Sequence, residues 1–347
     1  MLSRTLKLAV LIAGLLLPLP ALAKLSVVVT CSSYEPIVEF IGGDHVEVTH
    51  LVEGYQDPHI VRPKPSLAVL LSEADMFVAT GLDLEMWAPA LVDQANNPKL
   101  RSGQAGYVAV STGLHIAHAP TTLDRSEGDV HIFGNPHIHT SPLNGKVIAE
   151  NITVGLKRLD SANAAEYDAK LAQFKNEVDV RLFGQQLVDL VGGKTLTKLA
   201  ETGKLVTFLE SQQYQGKPMS DFLGGWMQQA LPLRGKKLVT FHENWTYFAD
   251  LFGLEVVDYM EPKPGIPPSP GHIANLITQM QANDVKVMLA ASYFDQTKVK
   301  LVADKAGATP VITGLSVGGT PEINTFFDQF DVWIASLLAA YQQVGQL

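Results

Sequence analysis

The sequence predicts an α/β protein of two lobes, each a four-stranded parallel sheet flanked by helices, joined by one long linker helix. Three observations carry this expectation. Short β-branched runs alternate with helical patterns over the first third of the chain, and the same alternation returns after residue 236. Strands that alternate with helices build parallel sheets covered on both faces. Between the two regions, a stretch without proline keeps one apolar residue every three or four positions, the period of a helix.

In chain order, Leu25 to Thr30 reads as the first strand and Tyr34 to Ile41 as a helix closed by Gly42-Gly43. Val46 to Val52 is the second strand. A loop with Pro58, Pro63 and Pro65 leads into a helix over Leu67 to Ala74, and Met76 to Ala79 and Tyr107 to Val110 complete the first set of four. From Ser161, a fitting N-cap, to Leu190, the residues Tyr167, Leu171, Phe174, Val178 and Leu182 mark one helical face. A continuous helix of that span would be about 45 Å long, and a stiff connection of this kind predicts little domain closure. Gly192 to Gly235 reads as an excursion of short helices around Trp226. The second set of strands is Lys237 to Phe241, Glu255 to Tyr259, Val285 to Ala290 and Pro310 to Thr313. A helix with Trp245, Phe248, Ala249 and Phe252 on one side stops at Gly253, and a last helix places Ile323, Phe326, Phe327, Phe330, Ile334, Leu337 and Leu338 on one stripe. The expected division is residues 1–23 as a signal peptide, 24–160 as the first lobe, 161–190 as the linker and 191–347 as the second lobe.

The leader assignment rests on Arg4 and Lys7 ahead of the apolar run Leu8 to Leu17, then Ala21-Leu22-Ala23 with small residues where a signal peptidase reads. The run is too short for a permanent anchor. Cleavage after Ala23 and residence in the periplasm follow as expectations, and no cysteine stands at the cleavage point for a lipid. Loss of Arg4 and Lys7 takes the formal charge from −9 to −11, which argues against nucleic acid as a partner, because phosphates call for Lys and Arg. The single cysteine, Cys31, can form no internal disulfide and excludes thiolate metal chemistry as a main theme.

Ten histidines are present, and their placement matters more than their number. His59 follows the second strand, His137 lies in the long loop after the fourth, and His242 is the first residue after Lys237 to Phe241. All three sit beyond the C-terminal ends of predicted parallel strands, where open α/β sheets bind ligands. A lone loop histidine is usually a surface or capping residue; three at equivalent strand ends point to a divalent transition metal, with one position left for a carboxylate or water. His131 and His139 flank His137 and could join or orient the set. His45, His50, His115, His118 and His272 lack the placement and read as surface or helix-end residues.

The chain resembles the metal-binding subunits of ABC uptake systems that carry zinc, manganese or iron. The landmarks are Asp57-Pro58-His59, Gly81-Leu82-Asp83-Leu84-Glu85-Met86-Trp87 and Asn135-Pro136-His137, then His242 to Phe248 and the proline-rich segment from Glu261 to Pro270. The resemblance implies metal held between two α/β lobes on His59, His137 and His242, delivery to an ABC-type metal permease, no catalysis, and work as a monomer. A histidine in the third place is similar to the zinc members, and Zn2+ accepts three imidazoles where Mn2+ prefers oxygen; Mn2+ or Fe2+ is the less favoured cargo. Many relatives carry an aspartate just after the last strand, where this chain has Gly314 within Thr313 to Gly319, and the histidine-rich loop of some zinc members is missing. Asp295 is the first candidate for the fourth ligand, as it follows the strand Val285 to Ala290; it could equally cap a helix, and His139, His131 or water are the alternatives. Two other classes compete. A secreted zinc hydrolase would need a general base, and no His-Glu-x-x-His pair occurs; a haem or chelate binder would need an open aromatic cleft.

Overall fold

The computed structural model describes residues 24–119, 131–262 and 265–347; the leader reading falls outside them. Strand β1 (Leu25–Cys31), helix α1 (Glu35–Gly42), β2 (Val46–Val52), α2 (Pro65–Glu73), β3 (Met76–Ala79), α3 (Ala88–Ala95) and β4 (Tyr107–Ala109) form the first lobe's sheet and covers. Its order is β2-β1-β3-β4 and every pairing is parallel. The chain then crosses through α4 (Pro142–Leu159), α5 (Ala164–Phe183), α6 (Gln185–Val191), α7 (Gly193–Glu201) and α8 (Leu205–Ser211). A two-residue-per-strand hairpin, β5 (Gln213–Tyr214) and β6 (Lys217–Pro218), precedes α9 (Gly225–Gln229). In the second lobe β7 (Lys237–Thr240), α10 (Thr246–Phe252), β8 (Glu255–Tyr259), α11 (Pro270–Ala282), β9 (Val287–Ala291), α12 (Gln296–Ala306) and β10 (Thr309–Thr313) are followed by α13 (Phe326–Gln343). Here the order is β10-β9-β7-β8, again all parallel. Counted within each lobe, both sheets run second-first-third-fourth. The same topology is used twice.

Each sheet buries both faces. The outer face of the first packs Val28, Phe77 and Ala79 on Leu71 of α2 and Leu91 of α3, and the outer face of the second packs Val239, Met288 and Ala290 on Leu276 of α11 and Val299 of α12. The inner faces share one continuous core, which runs from Val27 and Val29 through Ile148, Phe174 and Trp226 to Leu289, Phe330 and Trp333. Near-continuous apolar strands are what a sheet covered on both sides requires.

The expected linker from Ser161 to Leu190 is corrected in two places. Ser161–Asn163 is a separate 3-10 turn, and α5 stops at Phe183 because Gly184 takes φ 82° and ψ 145°. Only glycine adopts that backbone readily, and a Cβ there would lie 2.7 Å from the Cα of Gly224. The close approach of two backbones forces the break, so α6 leaves on a new axis. Among the strands the largest departure is β9, which begins at Val287 and not Val285. Ile323 is buried but precedes α13, which starts from a capping box between Thr325 and Asp328.

Candidate metal centre

Parallel strands and the segments that follow them bring four histidines to one point. His59 lies after β2, His131 and His137 in the loop after β4, and His242 two residues past β7. One ligand atom from each lies within 4.8 Å of the others, and all but His59 are buried. The Nε2 atoms of His59 and His131 are 3.4 Å apart, close to the edge of about 3.3 Å that four nitrogens describe around zinc at its usual bond length. Ring centroids of His59, His137 and His242 are 5.1 to 5.4 Å from one another.

Three of the rings are aimed from behind. Asp57 Oδ1 accepts both the backbone N–H of His59 at 3.0 Å and its Nδ1–H at 2.7 Å. Asn135 Oδ1 does the same for His137, at 3.0 and 2.9 Å. Asp-Pro-His and Asn-Pro-His are therefore one local device used twice: the Asx oxygen two residues upstream fixes the tautomer and turns Nε2 outward. On His242 the part is played by Glu261, whose Oε2 is 2.6 Å from Nδ1. Their meeting follows from the sheet, since β7 and β8 pair with Thr240 opposite Tyr259, two residues short of each. With Nδ1 occupied in this way, His137 Nε2 and His242 Nε2 are buried and without a partner among the described residues.

Asn135 also explains why it is not an aspartate. Its Nδ2 donates to the Glu243 carbonyl at 2.7 Å and to Thr246 Oγ1 at 3.0 Å, while its own carbonyl accepts from Tyr247 Oη at 2.6 Å. A carboxylate has no proton for the first two. The residue that aims His137 thus ties the first lobe to the helix start beside His242. The landmark from Gly81 to Trp87 acts on the other side, where Trp87 Nε1 donates to the Pro58 carbonyl at 2.8 Å and steadies the turn that carries His59.

Burial pushes His131 down to about 3, with the neighbouring His59 and His242 adding to the effect. His137 is held well below the ordinary histidine range, first by burial and then by His242 and His59. Both are neutral imidazoles, the form that binds metal. Burial alone would raise Asp57, but the hydrogen bonds and charge of His59 outweigh it and leave the carboxyl below its usual value.

The expected fourth ligand is corrected. Asp295 is the N-cap of α12, where Oδ1 accepts the amides of Thr297 at 3.1 Å and Lys298 at 3.2 Å, and it lies outside the histidine cluster. The Lys298 amide, against a small effect of burial, holds its carboxyl below the usual value. His131 is the fourth member of the cluster instead. His139 stays out as well: it is fully buried, edge-on to Tyr34 at 6.3 Å, with burial pushing it down to about 4. Gly314 could not have been an aspartate here, because a Cβ would stand 2.8 Å from the Gly319 and Thr320 backbone. Asn135, Glu261 and Trp87 lie within the sequence landmarks without standing out as site residues; for Asn135 the repeated Asx-Pro-His pattern is the signal that marks its role.

Fold and site together define a two-lobed parallel α/β protein with a polyhistidine cluster between strand ends of both lobes. The chain belongs to the family described as zinc-uptake complex component A, periplasmic, whose profile matches residues 27–181 and 222–340. It is 29% identical over 160 residues to the manganese ABC transporter substrate-binding lipoprotein PsaA of Streptococcus pneumoniae, a match that covers 45% of this chain and 48% of the relative. The chain thus spans about half the length of that relative. Among solved structures it is similar to the zinc-bound 138-173 deletion mutant of ZnuA, with a TM-score of 0.67, 22% identity and coverage of 91% of this chain and 98% of the other. It is also similar to FpvC of Pseudomonas aeruginosa in complex with Mn2+, with a TM-score of 0.66, 20% identity and coverage of 92% and 99%. At these identities the structural likeness speaks for the fold.

Proposed function

We propose that the protein is an exported binding protein that captures Zn2+ on His59, His131, His137 and His242 and delivers it to an ABC-type metal permease. The observation that carries this reading is the donor set: four imidazoles converge, and no carboxylate joins them among the described residues. Zinc takes four such ligands in a tetrahedron, whereas Mn2+ favours oxygen, so the nitrogen-only set supports zinc over the manganese named for some relatives. Asp57 and Glu261, hydrogen-bonded to the Nδ1 side of their histidines, offset the charge of a dication. Four protein ligands leave no open position for an activated water, and the two nearest carboxylates are engaged by histidine N–H groups; both points favour transport over hydrolysis. The signal peptide ending at Ala23, residence in the periplasm and work as a monomer complete the reading. No helix among the described residues is long and apolar enough to cross a membrane.

The test is elemental analysis of protein purified without chelator, followed by competition between the two metals. One zinc per chain is expected, retained against at least a hundredfold excess of manganese. Equal retention of manganese would overturn the assignment of cargo.

A further inference from the structure

The landmark from Gly81 to Trp87 carries two carboxylates that the metal centre does not use. Glu85 is only 6% exposed. Its Oε1 accepts Thr30 Oγ1 at 2.5 Å, Thr80 Oγ1 at 2.7 Å and the Thr80 amide at 3.2 Å. Those donors saturate one oxygen. Among the described residues no hydrogen-bond donor and no lysine or arginine reaches the other, Oε2. Oε2 is not one of the buried atoms without a partner; it keeps contact with solvent where Glu85 borders a cavity, and a carboxylate otherwise so enclosed favours a cationic partner.

Glu85 borders a cavity of about 430 Å³ beneath the edge strand β4, between the sheet and α3. Phe77, Val92, Leu100 and Tyr107 give it apolar walls. Asp83 stands two residues from Glu85, and the pair of Arg101 with Asp93, 3.1 Å apart, lies along the lining. Arg101 is thus already matched, so the unpaired charge facing the cavity is negative. An anion is disfavoured there. A bare metal ion is disfavoured too, because the only converging group of potential metal ligands among the described residues is the histidine cluster. A neutral apolar molecule would leave Oε2 unpaired. An organic cation answers both requirements, with its head on a carboxylate and its stem on an aromatic wall.

We propose that this cavity binds an alkylammonium or alkylguanidinium group, with the cationic head at Glu85 Oε2 and the aliphatic stem along Phe77 and Tyr107. The chemistry is shared by free amines and by lysine or arginine side chains of a protein partner. The cavity lies next to Met86, which is 67% exposed, and one residue from the indole that holds the Pro58 carbonyl, so a bound cation sits against the turn of His59.

Calorimetric titration of the zinc-loaded chain, residues 24–347, with n-butylammonium chloride tests this, and 1-butanol serves as the uncharged counterpart of equal size. Saturable 1:1 binding of the ammonium is expected, with the alcohol at least tenfold weaker. Glu85→Gln should lower the affinity at least tenfold. Because Glu85 also ties Thr30 to Thr80, Asp83→Asn on the exposed loop is the second variant, with a loss of about threefold and an unchanged fold. Nα-acetyl-lysine methylamide separates the sources: if it binds like butylammonium a protein side chain fits, and if it is rejected the ligand is a free amine. No saturable binding, equal binding of the alcohol, or affinity unchanged in both variants would overturn the proposal.

Discussion

Replacing Gly54 by alanine should loosen the metal centre without touching a ligand. The residue follows β2 and faces the loop after β10, where an added Cβ would lie 2.0 Å from the Val317 carbonyl oxygen, 2.5 Å from the Gly319 nitrogen and 2.6 Å from the Gly318 carbon. A carbon and an oxygen without a bond between them settle no closer than about 3.2 Å. The two segments must therefore part by about 1.2 Å. That movement also stretches the bonds from Ser32 Oγ to the Val317 carbonyl, 2.7 Å, and from the Val317 amide to Ser33 Oγ, 3.3 Å. The loss of both costs about 2 kcal/mol, and overpacking adds about 1 kcal/mol or more. His59 belongs to the displaced side and His242 to the other. A gap of about 1.2 Å added to a zinc–nitrogen bond of about 2.1 Å breaks it, and the loss of one of four ligands should weaken zinc at least about a hundredfold. Competition with a chromophoric chelator reads the affinity, and thermal unfolding of the metal-free protein reads the stability. Wild-type affinity with an unchanged melting temperature would show that the 317–319 loop yields alone and that the lobes are not held by this contact.

His131→Ala should weaken zinc by more than about tenfold, whereas Asp295→Ala should leave zinc affinity intact and lower stability through loss of its cap; chelator competition and urea unfolding separate the two, and the reverse pattern would restore Asp295 as ligand. Gly184→Ala, which demands φ 82° of an L-residue against the Gly224 backbone, should cost about 2–4 kcal/mol in urea unfolding. A cost under about 0.5 kcal/mol would mean that the helix break is optional. His50 is raised to about 9, chiefly by its hydrogen bond to Glu35, with burial opposing. A histidine raised on folding stabilises fully below its unfolded value of about 6.5, and the contribution fades as pH climbs through 9. The stability gap between wild type and His50→Ala should therefore be wide at pH 6 and shrink by pH 10; a gap constant across that range would contradict the pairing.

The strands were legible because most are consecutive apolar runs bounded by turn residues, so all eight expected runs became strands with ends shifted by at most two residues. The linker was less legible for a tertiary reason. A single glycine within a helical period is usually tolerated, and only the approach of Gly224 makes Gly184 a stop. His59, His137 and His242 stood out because strand ends in a parallel sheet share one edge. His131 did not, since its loop has no period; it is folded back by bonds such as the Asn135 amide to the Ala117 carbonyl, 2.8 Å, and the Gly134 amide to the His131 carbonyl, 2.8 Å. Asp295 shows the opposite error. A strand-end position is visible in sequence, but the direction of the carboxylate is not, and here it turns toward its own helix.

The histidines are divided unevenly: three stand on the first lobe and one on the second. If they hold zinc as proposed, any separation of the lobes removes a single bond, that of His242, and leaves a three-coordinate ion still seated on His59, His131 and His137. An ion in that state has one vacant corner, which faces whatever has pried the lobes apart. A ligand on the receiving protein could enter there before any further histidine lets go. Unloading would then proceed by successive exchange of ligands, each step far smaller than the cost of stripping four at once. The protein would act as a donor that relinquishes its cargo one bond at a time, and the lobe that contributes least to the grip would set when the transfer begins.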